Sequence, residues 1–362
     1  MDRELNSIPL APVLRMKLTK AGFTTVNDLL DIKPLELSKE IGITNEEALD
    51  ILKLARGDSS SDDECRLQSR SCTALEMLQD ERQTQCIVTF SEAIDSILGG
   101  GIPLTKITEI CGAPGVGKTQ MCMQLCVDVQ LPERFGGIEG EAIFIDTEGS
   151  FIVERLVTIA KSTIAHCNAT EGIILDVIHD EPRICRDFNL ESVLKAVYCF
   201  RCHDYIELVA LIHTLPDFLK EHSKVKLIVV DSIAFHFRHD FDDLSLRTRL
   251  LNGLSQSFIK LAALQKLSVV LTNQMTTKIS PAHPGGSYLV PALGESWGHA
   301  CTIRLILHWE NKTRYATLYK SPSMAEATVP YQITMGGIRD IESNSIENNG
   351  HPPKKKARID NN

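Results

Sequence analysis

The stretch that decides the fold is "TEICGAPGVGKTQMCMQLCVDV", residues 108–129. A short β-branched run ends in a glycine-rich loop, and the loop opens into a helical pattern with apolar residues on one face. Strand, loop and helix in that order form the setting in which G-x-x-x-x-G-K-[ST] cradles phosphate. Gly112, Gly115 and Gly117 let the backbone wrap so that its N–H groups face β- and γ-phosphate oxygens, and the helix N-terminus adds its dipole. Lys118 supplies a point charge to those oxygens, and Thr119 offers a hydroxyl to Mg2+. The nucleotide contacts expected here are Gly112, Ala113, Pro114, Gly115, Val116, Gly117, Lys118, Thr119 and Gln120, with ATP and Mg2+ as the ligands.

Such a loop needs partners at the ends of neighbouring strands. "KLIVVDSIA" offers Asp231 as the carboxylate on the metal side; its alternative is a strand-terminal Asp that caps a turn. "EAIFIDTEG" offers Glu148 to orient or deprotonate the attacking water, with Asp146 as the local competitor. "LSVVLTNQ" puts Gln274 at a strand end, where it can feel the γ-phosphate and pass its presence to the following loop. Lys118 and Glu148 are the expected catalytic pair.

Around these motifs, residues 85–340 alternate short apolar runs with helical stretches. The further runs are "CTIRLILHW", "RYATLYKSP" and "TVPYQITMGGI". Near-continuous apolarity fits strands covered on both faces, so the expected architecture is α/β with a mostly parallel twisted sheet. Residues 1–57 carry helical spacing instead, with Gly22 and Gly42 as punctuation, Pro34 suited to a first turn and Thr44 suited to a cap. Paired short helices in "LTKAGF" and "LSKEIGI" are similar to helix-hairpin-helix units, which hold DNA phosphates; a protein-docking module is the alternative. Residues 58–84 read as a linker around "GDSSSDDECRLQSRS", with a helical segment at about 73–82. Residues 341–362 read as a disordered tail. Within it Lys354, Lys355, Lys356 and Arg358 form a nuclear localisation signal, or alternatively a nonspecific DNA-touching segment.

Composition sets bounds on function. With 43% hydrophobic and 23% charged residues the chain is of globular type, and no run approaches the roughly 18 apolar residues of a membrane helix. A net charge of −9 argues against nucleic-acid binding through bulk charge. The start, "MDRELNSIPLAP", is unlike a secretory or transit peptide, so an intracellular protein with reduced cysteines is expected. "CFRCH", residues 199–203, matches a C-x-x-C-H pattern, but it lies in a strand and its exit, and buried reduced thiols are the expected state.

With these residues in order, the chain resembles the RecA-like strand-exchange recombinases of eukaryotes from about residue 8 to 340. The likeness rests on "GAPGVGKTQMCMQL", "FIDTEGSFIVERL", "LIVVDSIAFHFRHD", "LTNQMTTKI" and "SPSMAEATVPYQI". "ALGESWGHA", "DDLSLRTRLLNGL" and the basic tail place it nearest the C-type branch of the paralogues. The resemblance implies a RecA-type core behind a helical domain. It makes Lys118 and Thr119 phosphate and Mg2+ contacts, Glu148 the water-activating carboxylate, Asp231 the metal-side carboxylate and Gln274 the nucleotide sensor. It also stacks Arg155 on the adenine and places Pro322 near the nucleotide of a neighbouring subunit. Ile152 departs from the pattern, because filament-forming relatives carry Arg there.

The resemblance further implies two DNA loops, at about 236–249 and 275–298. Arg238, Arg247 and Arg249 in the first are offset by Asp240, Asp242 and Asp243, and Lys278 in the second by Glu295. Both are weak electrostatically, although Gly285, Gly286 and Tyr288 suit flexibility and base stacking. Modest binding of single-stranded or branched DNA by the lone chain is the expectation.

What the family does implies a nuclear, partly cytoplasmic, slow DNA-dependent ATPase of homologous-recombination repair of double-strand breaks. Its expected partners are the strand-exchange recombinase, the B-type, D-type and related paralogues in one hetero-oligomer, and an X-ray-complementing paralogue in another. Such complexes load or stabilise the filament on single-stranded DNA, with a role at Holliday junctions. With no carboxylate cluster outside the ATP site, any junction nuclease is expected to be recruited. An autonomous recombinase and an ATP-stabilised scaffold are the alternatives.

Overall fold

The computed structural model describes residues 10, 12–23, 25–30, 32–56, 73–178, 188–239, 241, 243–279 and 287–341. Outside the described residues lie most of the expected linker, Asp240, Asp242, Gly285, Gly286, the side chain of Tyr288, and the tail with Lys354, Lys355, Lys356 and Arg358. The chain divides into two compact units, Met1–Arg82 and Gln83–Asn362.

The first unit holds α1 (Pro12–Lys20), α2 (Asn27–Leu30), α3 (Pro34–Ile41), α4 (Asn45–Arg56) and most of α5 (Ala74–Gln83). Leu18, Leu29, Leu37, Ile51 and Leu52 meet in its core, each side chain worth about 1.5–3 kcal/mol when fully buried. Gly42 ends α3 at a φ of 62°, a left-handed conformation that costs glycine nothing. Thr44 and Glu47 then cap α4 reciprocally: the Glu47 N–H donates to Thr44 Oγ1 at 3.2 Å and the Thr44 N–H to Glu47 Oε2 at 2.9 Å. The Glu47 carboxylate also accepts from Thr44 Oγ1 at 3.1 Å, and the two bonds it accepts from Thr44, backbone first, lower its pKa.

In the second unit, β1 (Cys86–Ile87) and β2 (Ile102–Pro103) pair in a two-stranded ladder around α6 (Glu92–Leu98). The main sheet has ten strands. In chain order they are β3 (Ile107–Gly112), β4 (Glu141–Asp146), β5 (Val197–Arg201), β6 (Val225–Asp231), β7 (Ser268–Ile279), β8 (Ser287–Pro291), β9 (Ile303–Glu310), β10 (Thr313–Lys320), β11 (Ala327–Thr334) and β12 (Gly337–Arg339). The spatial order is β12-β11-β10-β9-β3-β7-β6-β4-β5, with β8 paired to β7. From β9 to β5 the pairing is parallel; the β9-to-β12 wing and β8 are antiparallel. This is the expected α/β fold with a mostly parallel sheet.

Alternation along each strand sorts side chains to two cores. Ala142 and Phe144 face one core with α7 (Lys118–Asp128) and α8 (Val153–Ile178), where Met121, Leu125, Leu156 and Ile159 pack. Ile143 and Ile145 face the other, with α10 (Tyr205–Glu221) and α12 (Leu244–Gln265), following the short α9 (Leu190–Lys195) and α11 (Phe235–His239). The last helix, α13 (Glu295–Ala300), precedes β9.

The structure corrects two expectations. Helix α7 is not apolar on one face: Met121 to Asp128 are all buried, because α8 and β12 pack on it as well as the parallel strands β3, β4, β6 and β7. Cys199 is exposed, since β5 is the sheet edge, whereas Cys202 is buried; both are free thiols.

Candidate nucleotide site

Strand β3 delivers the phosphate loop and α7 receives it. Gly117, at a φ of 114°, is the residue before the helix, and a Cβ there would lie 2.5 Å from Ile333 Cδ1. A Cβ on Gly112 would lie 2.7 Å from both Leu307 O and Val116 Cγ2. At the exposed crest Gly115 has a φ of 79° and open space around it. Beneath the loop, Tyr331 Oη donates to Val116 O at 2.7 Å. Tyr331 and Ile333 escaped the sequence reading, because nothing local in "TVPYQI" marks contact with a loop some 200 residues earlier.

Lys118 Nζ donates to Gly112 O at 2.9 Å and Ala113 O at 3.2 Å, which holds the ammonium inside the loop. Burial lowers its pKa, and the Asp231 and Glu148 carboxylates pull it back up. Thr119 Oγ1 donates to Asp231 Oδ2 at 2.6 Å. Asp231, buried at the end of β6, also accepts from Thr272 Oγ1 at 2.5 Å and from Ser150 Oγ at 3.3 Å. Burial raises the Asp231 pKa, while the Thr119 and Thr272 hydroxyls work the other way. A loop with an open crest, a held ammonium and a hydroxyl–carboxylate pair fit a triphosphate and its Mg2+, which Thr119 and Asp231 would hold.

The two acidic residues after β4 divide their work. Asp146 is buried, and its Oδ1 accepts from the N–H groups of Glu148, Gly149 and Ser150 at 3.2, 2.7 and 3.0 Å, while Oδ2 takes Phe151 N–H at 3.4 Å. It shapes the turn. Glu148 is exposed, and its Oε1 accepts from Ser232 Oγ at 2.5 Å and from Gln274 Nε2 at 2.8 Å. Gln274 lies opposite Gly112 in the β3–β7 register, and its carbonyl is held by the Ala292 N–H at 2.8 Å. Gln274 does not end its strand as expected: β7 runs on to Ile279 to pair with β8, and Gln274 is the last of its residues paired with β3. Glu148 and Asp231, at the carboxyl ends of β4 and β6, and the loop after β3 converge with it on the side where α/β sheets bind ligands.

Arg155 has its guanidinium edge fully engaged: Nε on Gln120 Oε1 at 2.6 Å, Nη1 on Met335 O at 2.5 Å and Nη2 on Thr334 O at 2.9 Å. Bonding along the edge leaves the planar face for stacking. Pro322 is exposed in the turn after β10.

The expected DNA loops are largely regular structure. Within 236–249, α11 and the start of α12 are helical; His236 and Phe237 are buried, with His236 Nε2 3.0 Å from Cys202 O. Arg247 is half-buried and donates from Nε to Phe237 O at 2.7 Å, so it braces two helices. Arg238 donates to Gln274 Oε1 and so joins the nucleotide site. Arg249 is exposed on α12. Within 275–298, Met275–Ile279 and Ser287–Pro291 form an antiparallel ladder that leads to α13. Exposed Lys278 lies 3.9 Å from Glu295, a pair of little energetic weight.

Behind the site, Glu109 is fully buried on β3 and accepts from Arg304 Nε at 2.5 Å, Asn273 Nδ2 at 2.8 Å and Trp297 Nε1 at 2.9 Å. The sequence gives no sign of this network, whose members are up to 195 residues apart. Among the described residues no group of three His, Cys, Asp or Glu could hold a metal, and no helix is long and apolar enough to cross a membrane.

A family model described as Rad51 matches residues 80–179 and 182–341. The chain is 55% identical over 362 residues, 98% of each chain, to DNA repair protein RAD51 homolog 3 of Cricetulus griseus. It is 44% identical over 290 residues to the protein of that name in Dictyostelium discoideum, covering 79% of this chain and 72% of the relative. It is 34% identical over 330 residues to DNA repair and recombination protein RadA of Metallosphaera sedula, covering 90% and 92%. Near end-to-end similarity to the Cricetulus griseus protein, with the partial match to its Dictyostelium discoideum namesake, supports the C-type branch. With this match, the parallel sheet and the phosphate loop at its carboxyl edge, the chain belongs to the Rad51 family and carries its RecA-like fold.

Proposed function

We propose that the chain is a Mg2+-dependent ATPase of recombination repair, working as a subunit of recombinase-paralogue complexes rather than as an autonomous recombinase. Four strands carry this reading: the Lys118–Thr119 loop after β3, Asp231 on β6, Glu148 after β4 and Gln274 within β7 meet at one site. Bound Mg2+ would offset charge developing on the γ-phosphate. Lys118 adds a second positive charge, Glu148 orients the water, and Gln274 distinguishes triphosphate from diphosphate. Arg155 stacks on the adenine, and Pro322 lies near the nucleotide of a neighbouring subunit. Nucleotide then acts as an assembly signal, since contacts to the γ-phosphate stabilise the docked state and are lost on hydrolysis.

With Arg238 and Arg247 each hydrogen-bonded to another part of the chain, Arg249 and Lys278 remain as candidate contacts to single-stranded or branched DNA. That is too little for tight binding by the lone chain, and it favours a helper that loads or stabilises the filament and acts at Holliday junctions with partner subunits. The basic tail directs the protein to the nucleus, with a cytoplasmic fraction; deleting residues 352–358 should shift it to the cytoplasm, and unchanged nuclear accumulation would count against this. The decisive assay is ATP hydrolysis by the purified chain, alone and with its paralogue partners, with and without single-stranded DNA, using Lys118→Ala as control. Weak turnover alone that rises with partners and DNA fits the switch. Full activity and filaments from the lone chain mean an autonomous recombinase, and no turnover in any mixture means a scaffold.

A further inference from the structure

The geometry points to Arg238 as a positioning residue of the nucleotide site: its guanidinium fixes the direction in which the Gln274 amide points. This rests on the proposed ATPase reading and adds to it a residue that the resemblance gives to DNA.

Four side chains from four segments form one chain of hydrogen bonds. Arg238 on α11 donates to Gln274 Oε1 on β7; Gln274 Nε2 donates to Glu148 Oε1 beyond β4 at 2.8 Å; Ser232 Oγ beyond β6 donates to the same Oε1 at 2.5 Å. A guanidinium has only donors, and an ionised carboxylate has only acceptors. Between them a glutamine amide is satisfied in one sense alone, oxygen toward Arg238 and nitrogen toward Glu148. Turning it over sets donor against donor and acceptor against acceptor. Without the guanidinium, among the described residues the Glu148 carboxylate alone selects the sense, from one side only.

The mount for Arg238 is rigid. The preceding residue, Phe237, is fully buried and stacks on Phe241 at 5.4 Å between ring centroids. Arg247 reaches from α12 to hold the Phe237 carbonyl at 2.7 Å, and the Ile233 N–H is tied to Thr272 O at 3.1 Å. Gln274 is held from both sides of its own strand, by the β3 register and by Ala292. Only side-chain torsions are free, and those are what the relay fixes. Orientation of this kind acts on the reacting geometry more than on overall affinity.

The test uses the full chain with its partners and the variants Arg238→Ala, Arg238→Gln, Arg238→Lys, Gln274→Ala and the Arg238→Ala/Gln274→Ala double. Two readouts are taken: steady-state ATP hydrolysis, and the ratio of affinities for fluorescent non-hydrolysable ATP and ADP analogues. The expected result for Arg238→Ala and Arg238→Gln is a roughly five- to tenfold lower kcat with KM within about twofold, and a several-fold smaller ATP-over-ADP preference. Arg238→Lys, still donor-only, restores both to within about threefold, and the double variant is no worse than Gln274→Ala alone. Wild-type values for Arg238→Ala, or full multiplication of the two single effects, overturn the inference while leaving the ATPase reading intact. Failure of the wild-type chain to bind either nucleotide overturns both. Unfolding midpoints within error of wild type for these exposed-site variants exclude a merely structural loss.

Discussion

Replacing Asp95 with Asn should change how the stability of the core unit depends on pH, in a direction the structure fixes. Asp95 lies on α6 near Asp340, which caps that helix by accepting from the Ser91 hydroxyl, from Glu92 N–H at 2.8 Å and from Ala93 N–H at 3.3 Å. Burial is the main cause that raises the Asp95 pKa from 3.8 to about 6; Asp340 adds to the rise, and hydrogen bonds from Thr89 work against it. A raised folded-state pKa means that the native state holds the proton more tightly than the unfolded chain. The associated stability is fully present below about pH 3.8 and is lost as pH rises through about 6. The interval spans roughly 2 pH units at about 1.4 kcal/mol each, an upper limit of about 3 kcal/mol that residual solvent contact reduces to about 2. Asn is neutral throughout and keeps an acceptor for the Thr89 N–H. The variant should therefore nearly match wild type at pH 4 and exceed it by about 2 kcal/mol at pH 7.5. Urea unfolding followed by tryptophan fluorescence reports the right unit, since the chain has 2 tryptophans and both, Trp297 and Trp309, lie in it. A wild-type-to-variant difference that stays flat between pH 4 and 7.5, or that grows toward acid, would refute the burial argument.

Other changes test the scaffold of the site. Gly337→Ala puts a Cβ 1.7 Å from Gln124 Oε1 at a φ of 109°, so the core unit should lose about 2–4 kcal/mol in the same urea assay. Gly115→Ala, with open space at a φ of 79°, should cost only about 1 kcal/mol of stability but weaken ATP-analogue binding measured by fluorescence. Glu109→Gln leaves the Arg304 guanidinium buried without its carboxylate and should destabilise by about 3–5 kcal/mol. Asp146→Asn weakens four backbone bonds around Glu148; a loss of about 2 kcal/mol with ATP turnover down roughly tenfold is expected, and unchanged turnover would mean that the turn does not set the position of Glu148.

How much was legible in the sequence follows from how local each signal is. The strand, loop and helix around residues 107–128 are legible because the pattern is short and contiguous, and the Thr44–Glu47 cap spans a single turn; the run of β7 past Gln274 is not, because its pairing with β8 is set by tertiary placement. Helix α7 misled because part of its covering surface, β12, lies more than 200 residues away, and burial on a second face leaves no mark in periodicity. Arg238 and Arg247 looked like loop cations because their charge is visible in sequence while their acceptors, Gln274 Oε1 and Phe237 O, are set by tertiary placement. Sequence prefers Glu148 to its competitor Asp146 without showing the physical reason: only the folded turn shows that one carboxylate is consumed by backbone N–H groups and the other reaches across to β7.

Strand β7 explains why the site and the following segment form one mechanical object. Three consecutive residues leave it in three directions: Thr272 to Asp231, Asn273 to Glu109 and the Ala292 carbonyl, and Gln274 to Glu148. Pleating puts neighbouring side chains on opposite faces, so Asn273 must address the Glu109 side while Thr272 and Gln274 address the nucleotide side. Glu109 in turn holds Trp297 and Arg304, which fixes α13 and the start of β9. A shift of β7 by even a few tenths of an ångström would stretch buried charge-assisted bonds on one face and the Asp231 and Glu148 contacts on the other. Closely packed elements of this kind respond by moving between discrete arrangements rather than by bending. A γ-phosphate that engages Gln274 therefore acts on the strand that also anchors residues 287–300, and this supports nucleotide binding as a conformational signal.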